Sequence, residues 1–528
     1  MTLPDTLDAP GAAATAPATV FILDFGAQYS QLIARRTREL NVYCEIVPYD
    51  TPWSALAPRK PAAVILSGGP ESTLVPDAPQ MDPEIIRSGV PILGICYGMQ
   101  LVARECGAEL VKLDHAEYGP ATLLVVHPET PLFEGVSTES RVWMSHGDSV
   151  VRMPDGFKKA GSTPRCAVAA MANDERKIYG VQFHPEVVHT EFGKQIINNF
   201  LHRIAGITSD WHMESFVDRA IAEIREKVGR DNVICALSGG VDSAVAATLV
   251  SRAIGAQLTC VFVDHGLLRK NEAKRVTEAF RDVMHLNVVA VDASKRFLDK
   301  LADVSDPEQK RIIIGHEFIR VFEEEAAKIP GVKYLVQGTL YPDVIESKTP
   351  DSKAGHKIKS HHNVGGLPEK MNFSLIEPLR ALFKDEVRSL GRVLGLPDHI
   401  VERQPFPGPG LAVRIIDSIT DERLELVREA DDIVCEEIDS AKLDPKPWQY
   451  FAVLTPVKSV GVMGDGRTYS NLVAVRAITS EDGMTADWAR LPYELLERIS
   501  TRIVNEVPGV NRVAYDITSK PPSTVEWE

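Results

Sequence analysis

Val233-Ile234-Cys235-Ala236-Leu237-Ser238-Gly239-Gly240-Val241-Asp242-Ser243 decides how this chain is read. Its first five residues form an uninterrupted apolar run, as expected of a strand buried on both faces. Two glycines follow, and Ala244 to Val250 continues as an apolar helical segment. The order is strand, glycine turn, helix start. Such a turn lets Gly239 and Gly240 gather backbone N–H groups at the positive end of a helix dipole, which makes an anion site. Ser238 and Ser243 add hydroxyl donors, Asp242 adds a carboxylate, and Val241 and Ala244 open the helix. The loop has no lysine, and G-x-x-x-x-G-K-[ST] occurs nowhere in the chain, so β–γ phosphate cleavage of the Walker kind is not expected.

The 528 residues suit about three domains at ~150 residues each. A hydrophobic share of 44% is ample for packed cores, and a net charge of −15 argues against a broad nucleic-acid surface. The seven cysteines include no C-x-x-C pair, which argues for reduced thiols in a cytoplasmic protein over a disulfide framework or a zinc site. No apolar run reaches the ~18 residues that span a membrane. Residues 1–18, rich in Ala, Pro and Thr, read as a disordered tail.

Outward from the loop, three blocks emerge. In 19–207, short apolar runs (Val20–Leu23, Ala63–Leu66, Pro91–Ile95, Gly180–Phe183) alternate with amphipathic segments, predicting an α/β domain with a largely parallel sheet. In 208–404, Leu258–Val263, Val288–Val291 and Tyr334–Gln337 continue the strand–helix alternation of a doubly wound sheet. Val263 and Gln337 then stand at strand ends, where the adenosine of a nucleotide would lie. From Pro405-Phe406-Pro407-Gly408-Pro409-Gly410 onward the pattern is α+β: a charged helix (421–438), apolar runs at Phe451–Leu454 and Leu472–Val475, a helix near 493–507 and a last strand near 512–517.

A second constellation lies in the first block. The run Pro91–Ile95 ends at Cys96, with Gly98 two residues on and a helix beginning. This is a nucleophile elbow, and the helix start is the setting of a reactive cysteine rather than an inert one. A cysteine nucleophile needs a base and an orienter. His184 and Glu186, two residues apart after the run ending at Phe183, are placed to share one strand face. Together these residues resemble the Cys-His-Glu triad of class I glutamine amidotransferases, over roughly 19–207. That resemblance implies an oxyanion hole from the N–H groups of Gly69 (in Leu66-Ser67-Gly68-Gly69-Pro70) and Tyr97. It also implies glutamine contacts from Gln100, His146 and Asp148. The loop at 238–243 resembles that of ATP pyrophosphatases, which split ATP between the α and β phosphates.

The joined pair, with Phe406–Arg414 and the terminus Thr518-Ser519-Lys520-Pro521-Pro522-Ser523-Thr524-Val525-Glu526-Trp527-Glu528, resembles the glutamine-hydrolysing GMP synthase family over nearly the whole chain. The resemblance implies ATP, glutamine and XMP as substrates. It implies Mg²⁺ with Asp242 as the carboxylate helping to hold it, and XMP contacts from Arg311, Gln449, Lys520 and Glu526. It further implies a polar lid at 343–363 and a homodimer formed by a C-terminal domain at 405–528. Two other readings stay open: a pyrophosphatase amidotransferase with another acceptor, such as one making NAD or modifying a tRNA base, and a non-enzymatic scaffold. No nucleic-acid or membrane partner is expected.

Overall fold

The computed structural model describes residues 17–27, 29–348, 373–464, 466–480 and 485–528. Residues 349–363 of the expected lid lie outside them, as do residues 1–16 of the expected tail, while 343–348 belong to the helix Tyr341–Lys348. The chain packs into two compact units, one running through Arg219 and one from Ala220 on.

The first unit is built on a nine-stranded sheet in the order β2-β1-β3-β4-β9-β8-β7-β5-β6. β1 (Thr19–Asp24), β2 (Tyr43–Pro48), β3 (Ala63–Leu66), β4 (Ile92–Ile95) and β9 (Ile178–Val181) are parallel. They are the short apolar runs of the sequence, and β3, β4 and β9 are buried at every position. The sheet then turns antiparallel through β8 (Ala170–Asn173), β7 (Lys158–Ser162), β5 (Glu109–Val125) and β6 (Glu139–Arg152). The long β5–β6 hairpin was not anticipated. Its half-buried strands carry Glu117, Ser145, His146 and Asp148, which interrupt any apolar run.

In the second unit β12 (Val288–Asp292), β11 (Leu258–Asp264), β10 (Asn232–Leu237), β13 (Val332–Val336) and β14 (Ser374–Ile376) form a wholly parallel sheet in that order. The order reverses beside β10, so the crevice at its carboxyl end is the ligand position of a doubly wound sheet. The 238–243 loop stands there and runs into the helix Val241–Ile254. A second sheet joins the antiparallel hairpin β15 (Gln449–Met463) and β16 (Gly466–Thr479) to the short β17 (Asp487–Trp488) and the parallel β18 (Val510–Asp516). The helices Asp421–Ser440 and Tyr493–Glu506 cover it. One hydrophobic cluster runs from Ile234 and Val261 through Leu411, Val427 and Val434 to Val475 and Ile503, so this unit shares a continuous core.

Candidate functional site

Cys96 is the residue between β4 and the helix Tyr97–Glu105, at φ +52° and ψ −106°. A non-glycine residue at positive φ is strained, and an elbow uses that strain to present its side chain. Its thiol donates to the Ser145 carbonyl at 3.3 Å. His184 and Glu186 lie three and five residues beyond the end of β9, so the expected strand-face spacing does not place them. They are nonetheless joined, Nδ1 to Oε1 at 2.7 Å. Glu186 is fully buried and its second oxygen has no partner among the described residues.

Because no strand holds this segment, its position comes from tertiary contacts. The His184 N–H donates to the Trp143 carbonyl at 3.0 Å. The Thr190 hydroxyl donates to the His184 carbonyl at 2.6 Å and accepts from the Trp143 N–H at 3.1 Å. Arg36 Nε holds the Glu186 carbonyl at 3.1 Å. The start of the helix Gly193–Asn198 closes on the same turn: a Cβ at Gly193 would stand 1.9 Å from the Pro185 carbonyl oxygen. Pro185 lies between the base and its orienter. Gly193→Ala is therefore expected to lower glutaminase kcat about tenfold by misplacing both groups, with KM for glutamine unchanged. Steady-state glutamine hydrolysis reads the split.

Burial pushes the His184 imidazole towards neutrality. The Glu186 charge and the hydrogen bonds with Cys96 and Glu186 outweigh it and raise its pKa from 6.5 to about 11. The raised value means that the imidazolium stabilises the fold fully below pH 6.5 and loses that contribution as pH rises through about 11. The alkaline limb of glutaminase activity should accordingly lie far above neutrality. In Glu186→Gln it should move down towards the ordinary histidine range, with kcat at neutral pH reduced about 10²-fold. The kcat/KM–pH profile of the two proteins checks this.

The expected oxyanion donors adjoin the nucleophile. A Cβ built on Gly68 would meet His184 Cε1 at 3.2 Å and Cys96 Cβ at 3.8 Å, and one on Gly69 would meet Tyr97 Cγ at 3.1 Å. Tyr97 opens its helix, so its amide is one of those a helix leaves without a carbonyl. Gln100, His146 and Asp148 also come together, but much of their bonding capacity is spent on the protein. Gln100 Nε2 donates to the Asp148 carbonyl at 3.0 Å and to Gln182 Oε1 at 3.2 Å. His146 bonds the same carbonyl at 2.9 Å and Glu117 at 3.2 Å. Asp148 Oδ2 accepts from Ser72 Oγ at 2.6 Å and the Thr73 N–H at 3.1 Å. Glu117, Ser72, Thr73 and Thr190 had no signal in the sequence, since each acts across many residues.

The second site is the loop after β10. Ser238 Oγ and Ser243 Oγ lie 3.1 Å apart, the Gly240 N–H donates to Ser238 Oγ at 3.3 Å, and Ser243 Oγ donates to the Gly240 carbonyl at 3.0 Å. Val263 is buried at the end of β11, and Gln337, just past β13, donates its N–H to the Ile376 carbonyl at 2.9 Å. Asp242 does not stand free. Lys384 Nζ meets both its oxygens, at 2.7 and 2.6 Å, bringing the loop the cation its own sequence lacks. Among the described residues no three His, Cys, Asp or Glu side chains could hold a metal ion.

The third cluster gathers on the C-terminal tail. Glu526 accepts from Gln449 Nε2 at 2.8 Å and from Arg414 at 3.1 and 3.2 Å. Arg311 Nη2 donates to the main-chain oxygen of Glu528 at 2.6 Å. The Lys520 backbone pairs with Ala486 in both directions, at 2.7 and 3.0 Å. Two buried cations absent from the sequence reading hold the tail. Lys310 reaches Glu528 Oε2 at 2.5 Å and the Ile415 carbonyl at 2.7 Å, with burial pushing its pKa down. Arg476, fully buried, donates to the carbonyls of Thr518, Thr524 and Val525 at 2.9–3.0 Å and to Asp516 at 2.7 Å.

With this geometry in place, comparison with known proteins is direct. Residues 21–204 match the class-I glutamine amidotransferase family, 229–399 the thiamine biosynthesis protein (ThiI) family and 436–527 the GMP synthase C-terminal domain. The chain is 60% identical to the glutamine-hydrolysing GMP synthase of Carboxydothermus hydrogenoformans, over 96% of this chain and 99% of the relative. It is 59% identical to that of Clostridium acetobutylicum with the same coverage, and 58% identical to that of Geobacillus kaustophilus, again over 96% and 99%. The chain belongs to the glutamine-hydrolysing GMP synthase family.

Proposed function

We infer that this enzyme converts XMP to GMP, using ATP and the amide nitrogen of glutamine, through an adenyl-XMP intermediate. The observation that carries the reading is the coexistence, in one chain, of a Cys96–His184–Glu186 centre and a lysine-supplemented anion loop at the switch point of a parallel sheet. Residues 19–207 serve as the amidotransferase, 208–404 as the ATP pyrophosphatase and 405–528 as the XMP-binding and dimer-forming part.

In the first half, the Cys96 thiol passes its proton to His184, the sulfur attacks the glutamine carboxamide, and the amides of Gly69 and Tyr97 receive the oxyanion. His184 gives its proton to the departing ammonia, leaving a thioester that water hydrolyses to glutamate. In the second half, the amides of Gly239 and Gly240 and the hydroxyls of Ser238 and Ser243 hold the β and γ phosphates. The 2-oxygen of XMP attacks the α phosphorus and pyrophosphate leaves. Ammonia then adds at C2 and AMP departs with that oxygen. Mg²⁺ carried on the triphosphate would neutralise the leaving pyrophosphate. The donor set fits a phosphate-borne ion that keeps several waters better than an all-protein cage, since Asp242 is the loop's one carboxylate. Lys384, released from Asp242, would meet a phosphate oxygen. Arg311 and Lys520 supply cations for the XMP phosphate, and Gln449 and Glu526 face its base and ribose.

XMP carrying ¹⁸O at the 2-position tests the route. The label should appear in the phosphate of AMP, and label-free AMP would contradict it.

The β15–β16 hairpin supports a homodimer. Before Asn471, towards the hairpin turn, β16 does not pair with β18, and the ribbon exposes Val457, Val460, Val462 and Tyr469 at 53–74%. An exposed apolar two-stranded ribbon is marginal alone, and a second copy is the partner that covers it. Val460→Lys should shift the mass in sedimentation equilibrium from dimer towards monomer. No described helix is long and apolar enough to cross a membrane, and all seven cysteines are free, which fits a cytoplasmic enzyme.

A further inference from the structure

The Pro/Gly-rich stretch from Pro405 to Gly410 has no part in the chemistry above, yet its one aromatic side chain is a hub. The guanidinium of Arg269 lies 4.8 Å from the centroid of the Phe406 ring, that of Arg414 5.2 Å and that of Arg403 6.0 Å. Each cation has its own carboxylate: Asp431 for Arg269 at 3.0 Å, Glu526 for Arg414, and Glu272 for Arg403. Three positive groups crowded on one half-buried ring repel one another; burial and the Arg269 charge lower the Arg403 pKa to about 10. The negative face of the ring and the three carboxylates offset that repulsion.

The two outer arginines end on different ligand sites. Arg403 Nη1 donates to the Gly239 carbonyl at 2.5 Å, on the phosphate loop. Arg414 grips Glu526 on the tail. Gly239, Arg403, Phe406, Arg414 and Glu526 thus form one unbroken series of contacts from the ATP side to the XMP side. Pro405 and Pro407 fix φ on either side of Phe406, which restricts how far the ring can follow one end alone. Asp431 braces the middle, bonding Arg414 Nη1 at 3.4 Å and the Ala452 N–H at 3.0 Å while facing Arg269.

We propose that Phe406 is a positioning residue that couples the two nucleotide sites, so that ATP on the loop and XMP at the tail each bind more tightly when the other is present. The inference rests on the substrate reading above. Each ligand needs the guanidinium stack in one arrangement, and the first to bind fixes it for the second. Linkage requires the factor to be the same in both directions.

The test is calorimetric titration of the full-length protein with α,β-methylene-ATP, with and without XMP, and the reverse titration. Wild type should show mutual tightening by about 5- to 150-fold. Phe406→Leu should bring the factor close to one while each ligand alone binds as in wild type, and Phe406→Trp, which keeps a cation-binding face, should retain it. Arg403→Lys, which keeps the charge but loses the planar fork, should lose part of it and guards against a misfolded Leu variant. An undiminished factor in Phe406→Leu overturns the proposal. So does loss of both single-ligand affinities with the factor intact, which is what a purely structural role would give, or a wild-type factor of one. Wild-type protein that binds the ATP analogue but not XMP would instead remove the substrate reading beneath it.

Discussion

Cys96→Ala loses glutamine-dependent GMP formation by a factor on the order of 10⁴ to 10⁶ and keeps ammonia-dependent formation at the wild-type rate. The first half of that expectation follows from the elbow. Cys96 is the one cysteine at positive φ, and its sulfur lies at a helix start, facing the Ser145 carbonyl beside the buried His184–Glu186 pair. The second half follows from separate construction. The phosphate loop, Lys384 and the tail cluster all lie in the unit from Ala220 on, and Cys96 lies in the other. Parallel assays with glutamine and with ammonium, at equal XMP and ATP, measure both. Equal loss in the two assays would mean that Cys96 also supports the second half.

Arg476→Leu has the next largest effect. The guanidinium is fully buried and holds the tail through Thr518, Thr524 and Val525 as well as Asp516. Removing it takes the cation from the half-buried Asp516 carboxylate and strands several carbonyls, a loss of about 3 kcal/mol. The tail then detaches from the β16–β18 sheet, carrying Glu528 and Glu526 away from Arg311 and Gln449. Ammonia-dependent kcat/KM for XMP should fall on the order of 10³-fold, while glutaminase measured alone changes little. Unchanged KM for XMP would show that the tail is held without Arg476.

The parts of the molecule that could be read from sequence are those whose chemistry is local. The elbow at Cys96, the loop at 238–243 and the apolar parallel strands each occupy a few consecutive residues, and they stand where their patterns put them. The helix at 421–440 was legible for the same reason. What stayed hidden is held across long separations. Lys384 reaches Asp242 over 142 residues, and Lys310 reaches Glu528 over 218. A lysine or arginine in a helix or strand reads as a solvated charge until the fold buries it, so Arg476 and Arg414 gave no sign of their partners. His146 and Asp148 illustrate a partial reading. Both come together with Gln100, but His146 is bonded to Glu117 and Asp148 to Ser72 and Thr73, partners that the sequence did not reveal.

The central claim is that XMP is the acceptor activated by ATP at the loop of the second unit, independently of Cys96. Pyrophosphate release from ATP, with XMP and ammonium and no glutamine, measured on wild type and Cys96→Ala, tests it most directly. Equal pyrophosphate release and GMP formation by the two proteins is the predicted result. No release with XMP, together with release on another acceptor, would contradict it.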